Sequence, residues 1–187
     1  FLGTGVFASR AHQQATDLIK ALDCPVVHTP GANARLLDVA EQSAAYATDP
    51  ANELIAGADV VLAIGTELGE PVHYGLGRHW AVGNVDRKWV YVERDPTAIG
   101  VNRPIDVPLV GDLRDILPQL TDELAKGEKV SRVPTRFSDG NKKVASDIAA
   151  MLDLVPDGSP IHPVKFVTEA TKVLPDDTVI VRDGGAA

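Results

Sequence analysis

The chain has 187 residues, 18 of them Lys or Arg against 26 Asp or Glu, a formal charge of −8 at pH 7, and 44% apolar but only 5% aromatic residues. That length suits one ordinary domain and part of another around an aliphatic core, and the acidic balance argues against nucleic acid or anionic lipid as partners. No apolar run reaches the roughly 20 residues that span a bilayer, and the single cysteine, Cys24, excludes an internal disulfide framework; the expected setting is soluble, reducing and cytoplasmic.

Phe1-Leu2 reads as the end of a strand already under way, so the chain is expected to be a piece of something longer. Gly3-Thr4-Gly5-Val6-Phe7-Ala8 fits G-x-G-x-x-A between that strand and a helix. Glycines there let backbone approach a phosphate at a helix start, although a tight turn needs small residues with or without a ligand. Ser9 to Leu22 places Ala11, Ala15, Leu18, Ile19 and Leu22 on one helical face. Pro25 to Val27 is a short strand, with Cys24 before it as a small buried hydrophobe. At its end stand His28 and Thr29, where a dinucleotide site calls for an acid.

The alanine-rich stretch from Ala34 to Ala45 is expected to be helical, and Asp49-Pro50 opens a helix that Gly57 stops. Asp59 to Ile64 is apolar on both faces, as a central parallel strand is. The turn that follows, Gly65-Thr66-Glu67-Leu68-Gly69-Glu70, lies at that strand's carboxyl end, where open α/β sheets hold ligands. His73 and His79 have no Cys or carboxylate at metal-ligand spacing, so no zinc site is expected. Trp89 to Val92 is the next strand; Glu93 and Asp95 after it could accept hydrogen bonds from a ribose, while Asp95 is equally a helix cap before Pro96. After the strand Val107 to Val110, Gly111-Asp112 opens a helix with Leu113, Ile116, Leu117, Leu120 and Leu124 on one face. Asp112 has the same two readings as Asp95, and Pro118 should kink that helix or mark a later start.

Strands separated by helices imply a parallel sheet covered on both faces. The expected organisation is a Rossmann-like, doubly wound α/β domain over residues 1–127, a polar linker over 128–158 with a helix near Lys143 to Leu152, and the beginning of a second α/β domain over 159–187. That last part reads as a helix from His162-Pro163 with Phe166, Val167, Ala170, Val173 and Leu174 on one face, then a strand from Thr178 to Val181 and the turn Asp183-Gly184-Gly185. The turn could cradle a diphosphate or simply reverse the chain. No Ser–His–Asp signature and no P-loop is present.

The order of these pieces resembles thiamine-diphosphate-dependent enzymes of the acetolactate synthase and benzoylformate decarboxylase type. Ala58 to Glu70 is similar to that family's "A-D-L-V-L-x-x-G-[AS]-R", Val92 to Asn102 to its "I-D-I-D-P-x-E-I-G-x-N", and Asp106 to Asp112 to its "D-V-x-I-x-G-D". Ile161 to Gly184 resembles the start of its carboxyl-terminal domain. The resemblance implies a central domain plus the opening of a truncated cofactor-binding domain, from a 2-keto acid carboligase or decarboxylase that uses thiamine diphosphate and Mg²⁺ and assembles as a dimer or tetramer. It implies no catalysis by this chain alone, because neither the glutamate-bearing domain nor a G-D-G…N motif is present. Asp183, Gly184 and Gly185 are the residues it brings toward the diphosphate; Gly3, Gly5, Gly65, Thr66, Glu93, Asp95 and Asp112 are the nucleotide-contact candidates of the central domain.

Some family members hold FAD or ADP in that domain. Here Glu67 stands where flavin-containing members have arginine, Glu93-Arg94-Asp95 replaces "D-I-D", and Thr29 to Ala51 lacks a Met-His-Gly stretch. The resemblance therefore leans toward a domain that keeps the fold and has lost or altered nucleotide binding. Two other classes share the fold: the FAD domain of an electron-transfer flavoprotein, and a sirtuin- or deoxyhypusine-synthase-like NAD enzyme, whose sirtuin form calls for four zinc cysteines where only Cys24 exists.

Overall fold

The sheet is built from β1 (Val26–His28), β2 (Ser43–Ala45), β3 (Val60–Ile64), β4 (Lys88–Glu93) and β5 (Val107–Val110). The computed structural model describes residues 1–35, 37–69, 72, 80, 86–127, 137–156 and 158–181. Every ladder is parallel: Val27 pairs with Ala44, Leu62 with Val90, and Val92 with Leu109. Leu2 joins the two halves by bridging His28 on one side and Ile64 on the other. Leu2 N–H donates to Val27 O and Gly3 N–H to Ile64 O, while Thr29 N–H donates to Leu2 O and Ile64 N–H to Phe1 O, each at 2.9 Å. The order across the sheet is thus β2, β1, Leu2, β3, β4, β5. The winding reverses between Leu2 and β3, which makes the sheet doubly wound, as expected, and puts its crevice beyond the carboxyl ends of those two strands.

The strands are apolar on both faces because both are covered. Leu62 and Ile64 of β3 join one core cluster; Val61 and Ala63 join the other. The first layer contains α1 (Gly5–Ala8), α2 (His12–Leu22) and α4 (Leu113–Lys126), which bury Val6, Leu18, Ile19, Leu113 and Leu117. The second contains α3 (Asp49–Gly57), Trp80 and Phe137. The face expected for α2 is the buried one, although the helix starts only at His12, after Arg10 at φ 55°. Its end is set by Asp23, in the left-handed region at φ 42°.

Two expectations give way to tertiary pairing. Ala34 to Ala45 is not a helix: it forms 3₁₀ turns at Pro30–Arg35 and Leu37–Gln42 and then β2. The free side of β1 needs backbone partners, and Ser43–Ala45 supplies them, which outweighs a helix propensity worth only tenths of a kcal/mol per residue. Likewise α4 runs unbroken from Leu113, with Pro118 inside it. Pro118 is exposed, so water can take the carbonyl whose donor the ring removes. The cap of α3 is Thr48 rather than Asp49, with Pro50 in the first turn as expected.

The β2 edge is closed by residues from the stretch read as linker. Phe137 N–H donates to Glu41 O at 2.7 Å and Asn141 Nδ2 to Ser43 O at 2.9 Å. By its contacts the chain forms two units, Phe1–Asn141 and Lys142–Ala187, and α5 (Ser138–Leu154) begins in the first and continues into the second. In the second unit α6 (Pro163–Val173) starts as expected at His162, whose Nδ1 accepts the Val164 N–H at 3.3 Å. Its apolar residues Phe166, Val167 and Val173 are exposed. Thr178 to Val181 is not a strand: it has no ladder partner among the described residues, and Val179 and Val181 are exposed. A strand exists only through hydrogen bonds to a neighbour.

One buried cation organises the second layer. Arg87 is 8% exposed and faces carbonyls instead of a carboxylate. It donates to Ile55 O at 2.6 Å, Ala58 O at 2.9 Å, Trp80 O at 2.9 Å and Ala56 O at 3.4 Å. The carbonyls of Ile55, Ala56 and Ala58 belong to the unsatisfied end of α3. Replacing Arg87 by Met strands them in a dry site and is expected to cost about 3 kcal/mol in urea denaturation. Arg87→Lys should recover little, because one ammonium cannot reach four acceptors; wild-type stability in Arg87→Met would show that the cap is dispensable.

Candidate functional site

The carboxyl edge of the sheet carries two glycine turns that meet. Gly5 N–H donates to Gly65 O at 2.8 Å. A Cβ at Gly3 would lie 2.3 Å from Gly65 O, and one at Gly5 would lie 2.8 Å from the same oxygen. Gly65 itself sits at φ +57°, and its own Cβ would come within 2.8 Å of Val6 N. All three positions therefore require glycine for backbone-to-backbone contact. The structure brings Gly3, Gly5, Gly65 and Thr66 together, and the observed partner of the first turn is the second turn.

Thr66 is buried and shapes the rest of its loop. Its Oγ1 accepts the Leu68 N–H at 3.2 Å, and its carbonyl accepts the Tyr91 hydroxyl at 2.6 Å. Leu68, 2% exposed, holds a left-handed φ of 47°, a conformation that costs a branched residue about 1 kcal/mol or more. Asn102 Nδ2 donates to Glu67 O at 2.9 Å, tying the loop after β4 to the loop after β3. Between them lies a shallow depression of about 160 Å³, open to solvent, lined by Glu67, Leu68, Tyr91, Gly100, Asn102 and Arg103. The Arg103 guanidinium stacks over the Trp89 ring at 3.5 Å. Burial, and then the charge of Arg87, pull its pKa down to about 10.

The acidic candidates sit on the same edge, each engaged with its own loop. One Glu93 carboxylate oxygen accepts the N–H groups of Arg94 at 2.7 Å and Asp95 at 3.1 Å. Asp95 caps the turn Pro96–Ala98 through Thr97 N–H at 2.8 Å and Thr97 Oγ1 at 2.7 Å, and those bonds lower its pKa. Asp112 caps α4 through Arg114 N–H at 2.9 Å and pairs with the Arg114 guanidinium at 3.0 Å, which holds its carboxyl down at about 2. His28, where an acid was looked for, is buried, with Nδ1 3.2 Å from Thr29 O; burial lowers its pKa and favours the neutral ring.

Asp183, Gly184 and Gly185 lie outside the described residues, as do Glu70, His73 and His79. Among the described residues, no group of three His, Cys, Asp or Glu side chains is placed to hold a metal ion, and no helix is long and apolar enough to cross a membrane. Sequence reasoning missed Tyr91 and Asn102 as organisers of the edge. Each bonds a backbone oxygen, 25 and 35 residues earlier in the chain, and a contact to a carbonyl leaves no mark in the partner's residue type.

Residues 1–120 match the family model described as "Thiamine pyrophosphate enzyme, central domain". A protein named as an acetolactate synthase large subunit in Methanococcus aeolicus is 26% identical over 98% of this chain and 32% of its own length. The oxalyl-CoA decarboxylase of Escherichia coli K12 is 32% identical over 66% of this chain and 21% of its own. The chain thus spans a third or less of these relatives. An X-ray structure named as that of a thiamin diphosphate-dependent enzyme from Mycobacterium smegmatis shares the fold. Its TM-score is 0.52 and its identity 20%, over 72% of this chain and 26% of that one.

Two substitutions test the edge. Tyr91→Phe leaves Thr66 O without its donor and should cost about 1–2 kcal/mol. Burial first, then the charges of Glu93 and Glu67, raise the Tyr91 phenol from 10.0 to about 12. The neutral phenol therefore favours the fold below pH 10, and that contribution is lost as pH rises toward 12; plots of Tm against pH should show this alkaline slope in the wild type and not in Tyr91→Phe. For Asp112, ordinarily at 3.8 and here at about 2, the contribution is present above pH 3.8 and lost as pH falls toward 2. Asp112→Asn keeps a cap but cannot titrate, so its acid limb should be flatter; identical limbs would show that the Arg114 pair does not stabilise the fold.

Proposed function

Since the chain belongs to the thiamine pyrophosphate enzyme family, as its central domain, we propose that it is the central scaffold, with the opening of the carboxyl-terminal domain, of a thiamine-diphosphate-dependent enzyme acting on 2-keto acids. The observation that carries this is the family match over residues 1–120, which falls on the doubly wound unit. The reaction class is carboligation of the acetolactate synthase kind or the corresponding decarboxylation. We assign the chain no catalysis of its own, as the family resemblance implies.

Thiamine diphosphate, when bound, supplies an electron sink for the carbanion formed at the keto carbon; the protein positions it and sets its electrostatics. In this chain Asp183, Gly184 and Gly185 are the residues proposed to approach its diphosphate. What the central unit contributes is rigidity. The Gly5–Gly65 contact and the Asn102–Glu67 bond fix the carboxyl edge, against which neighbouring domains would be aligned. A dimeric or tetrameric assembly in the cytoplasm belongs to the same proposal.

The test compares the intact gene product with the 187-residue chain, using pyruvate as substrate, and follows CO₂ release and acetolactate formation. Turnover by the intact protein should vanish when thiamine diphosphate and Mg²⁺ are withheld, and the 187-residue chain should show none. Turnover that ignores the cofactor, or catalysis by the short chain alone, would overturn the proposal.

A further inference from the structure

A dinucleotide at the carboxyl edge needs free backbone N–H groups in the first glycine turn, room beside them, and no concentration of negative charge. The described residues do not fit such a group. We infer that the switch-point crevice of this chain is filled by its own backbone and takes no pyrophosphate-bearing nucleotide.

Four N–H groups of the first turn and α1 are spent first, and Thr4 N–H alone of that run has no partner among the described residues. Gly3 N–H is bonded to Ile64 O at 2.9 Å, Gly5 N–H to Gly65 O at 2.8 Å, Val6 N–H to Gly3 O at 3.2 Å and Phe7 N–H to Thr4 O at 3.0 Å. In the second turn Gly65 N–H is bonded to Val92 O at 3.3 Å and Leu68 N–H to Thr66 Oγ1 at 3.2 Å. The helix that follows the first turn, α1, has four residues. Its partial charge is correspondingly small, since the dipole needs aligned peptides.

Space is the second obstacle. The turns touch so closely that a single added methyl at Gly3 or Gly5 would overlap Gly65 O, and a pyrophosphate is larger than a methyl. The neighbouring depression is open to solvent and encloses no room even for a water-sized sphere, whereas small-molecule sites begin at roughly 300 Å³. Charge is the third: Glu67 and Glu93 both act on Tyr91, so two carboxylates stand near the mouth between β3 and β4 against the one guanidinium of Arg103 that lines it, and carboxylates repel a pyrophosphate. Glycine at positions 3, 5 and 65 is thus explained by the clasp between the turns and needs no ligand.

Closure and charge can be separated with Glu67→Arg, an exposed substitution that reverses the sign at the mouth and leaves the clasp intact. Both proteins are titrated calorimetrically with FAD, ADP and NAD up to on the order of 1 mM, the weak end of specific affinity, with Tm as the control for folding. The expected result is no saturable heat from any nucleotide with either protein. Saturable one-to-one binding to the wild type overturns the inference. Binding that appears only in Glu67→Arg also overturns it, since charge and not closure would then have kept the nucleotide out. Neither result bears on thiamine diphosphate, which is read separately by turnover of the intact gene product.

Discussion

The contact between the Gly3–Gly5 turn and Gly65 is the constraint on which the rest of the first unit depends. It joins the two strands between which the winding reverses, the place where a doubly wound sheet otherwise opens into a crevice. Gly5 N–H to Gly65 O at 2.8 Å is possible only because neither residue carries a Cβ, and Gly65 adopts a positive φ that side chains avoid. Beside the clasped turns Ile64 donates to Phe1 O and accepts from Gly3 N–H, and α1 and α2 lie against one face of the sheet. The same contact that aligns the edge removes the space a nucleotide would use.

Polar groups of the second layer serve the scaffold in the same way. Arg87 closes the end of α3 through the carbonyls of Ile55, Ala56 and Ala58 and ties it to Trp80 O, and Arg103 lies over Trp89. Trp80 and Trp89 pack at 5.1 Å between ring centroids, with Phe1 edge-on to Trp80 at 5.4 Å. A chain poor in aromatics has concentrated them behind β3 and β4, where large rings fill volume that small aliphatics leave open. The acids of the carboxyl edge are likewise turned inward on their own loops: Asp95 and Asp112 act as caps, and Glu93 holds the turn that follows it.

Much of the first unit was legible in the residues. Val61 to Ile64 had to be a covered strand because nothing polar interrupts it, and Ala11, Ala15, Leu18 and Ile19 had to be one face of a helix because the 3.6 period admits no other element. Asp95-Pro96 and Asp112 were readable as caps because capping is local chemistry. Where the residues misled, a distant partner decided: Ser43–Ala45 became a strand because β1 had a free side, Leu113–Lys126 kept Pro118 because that position faces water, and Thr178–Val181 formed no strand among the described residues because no ladder partner meets it.

The sequence by itself determined the parallel α/β pattern, the kinship with thiamine-diphosphate enzymes and the identity of the glycine turns, since each of these is written in short-range periodicity, caps and motif order. It left open what the glycines touch. Only the tertiary structure decided that Gly3 and Gly5 face Gly65, that Tyr91 holds Thr66 O and that Arg87 holds the end of α3. Those partners are backbone atoms up to about sixty residues away in the chain. A carbonyl is the same in every residue, so a bond to one can be seen only when the chain has brought the two ends together.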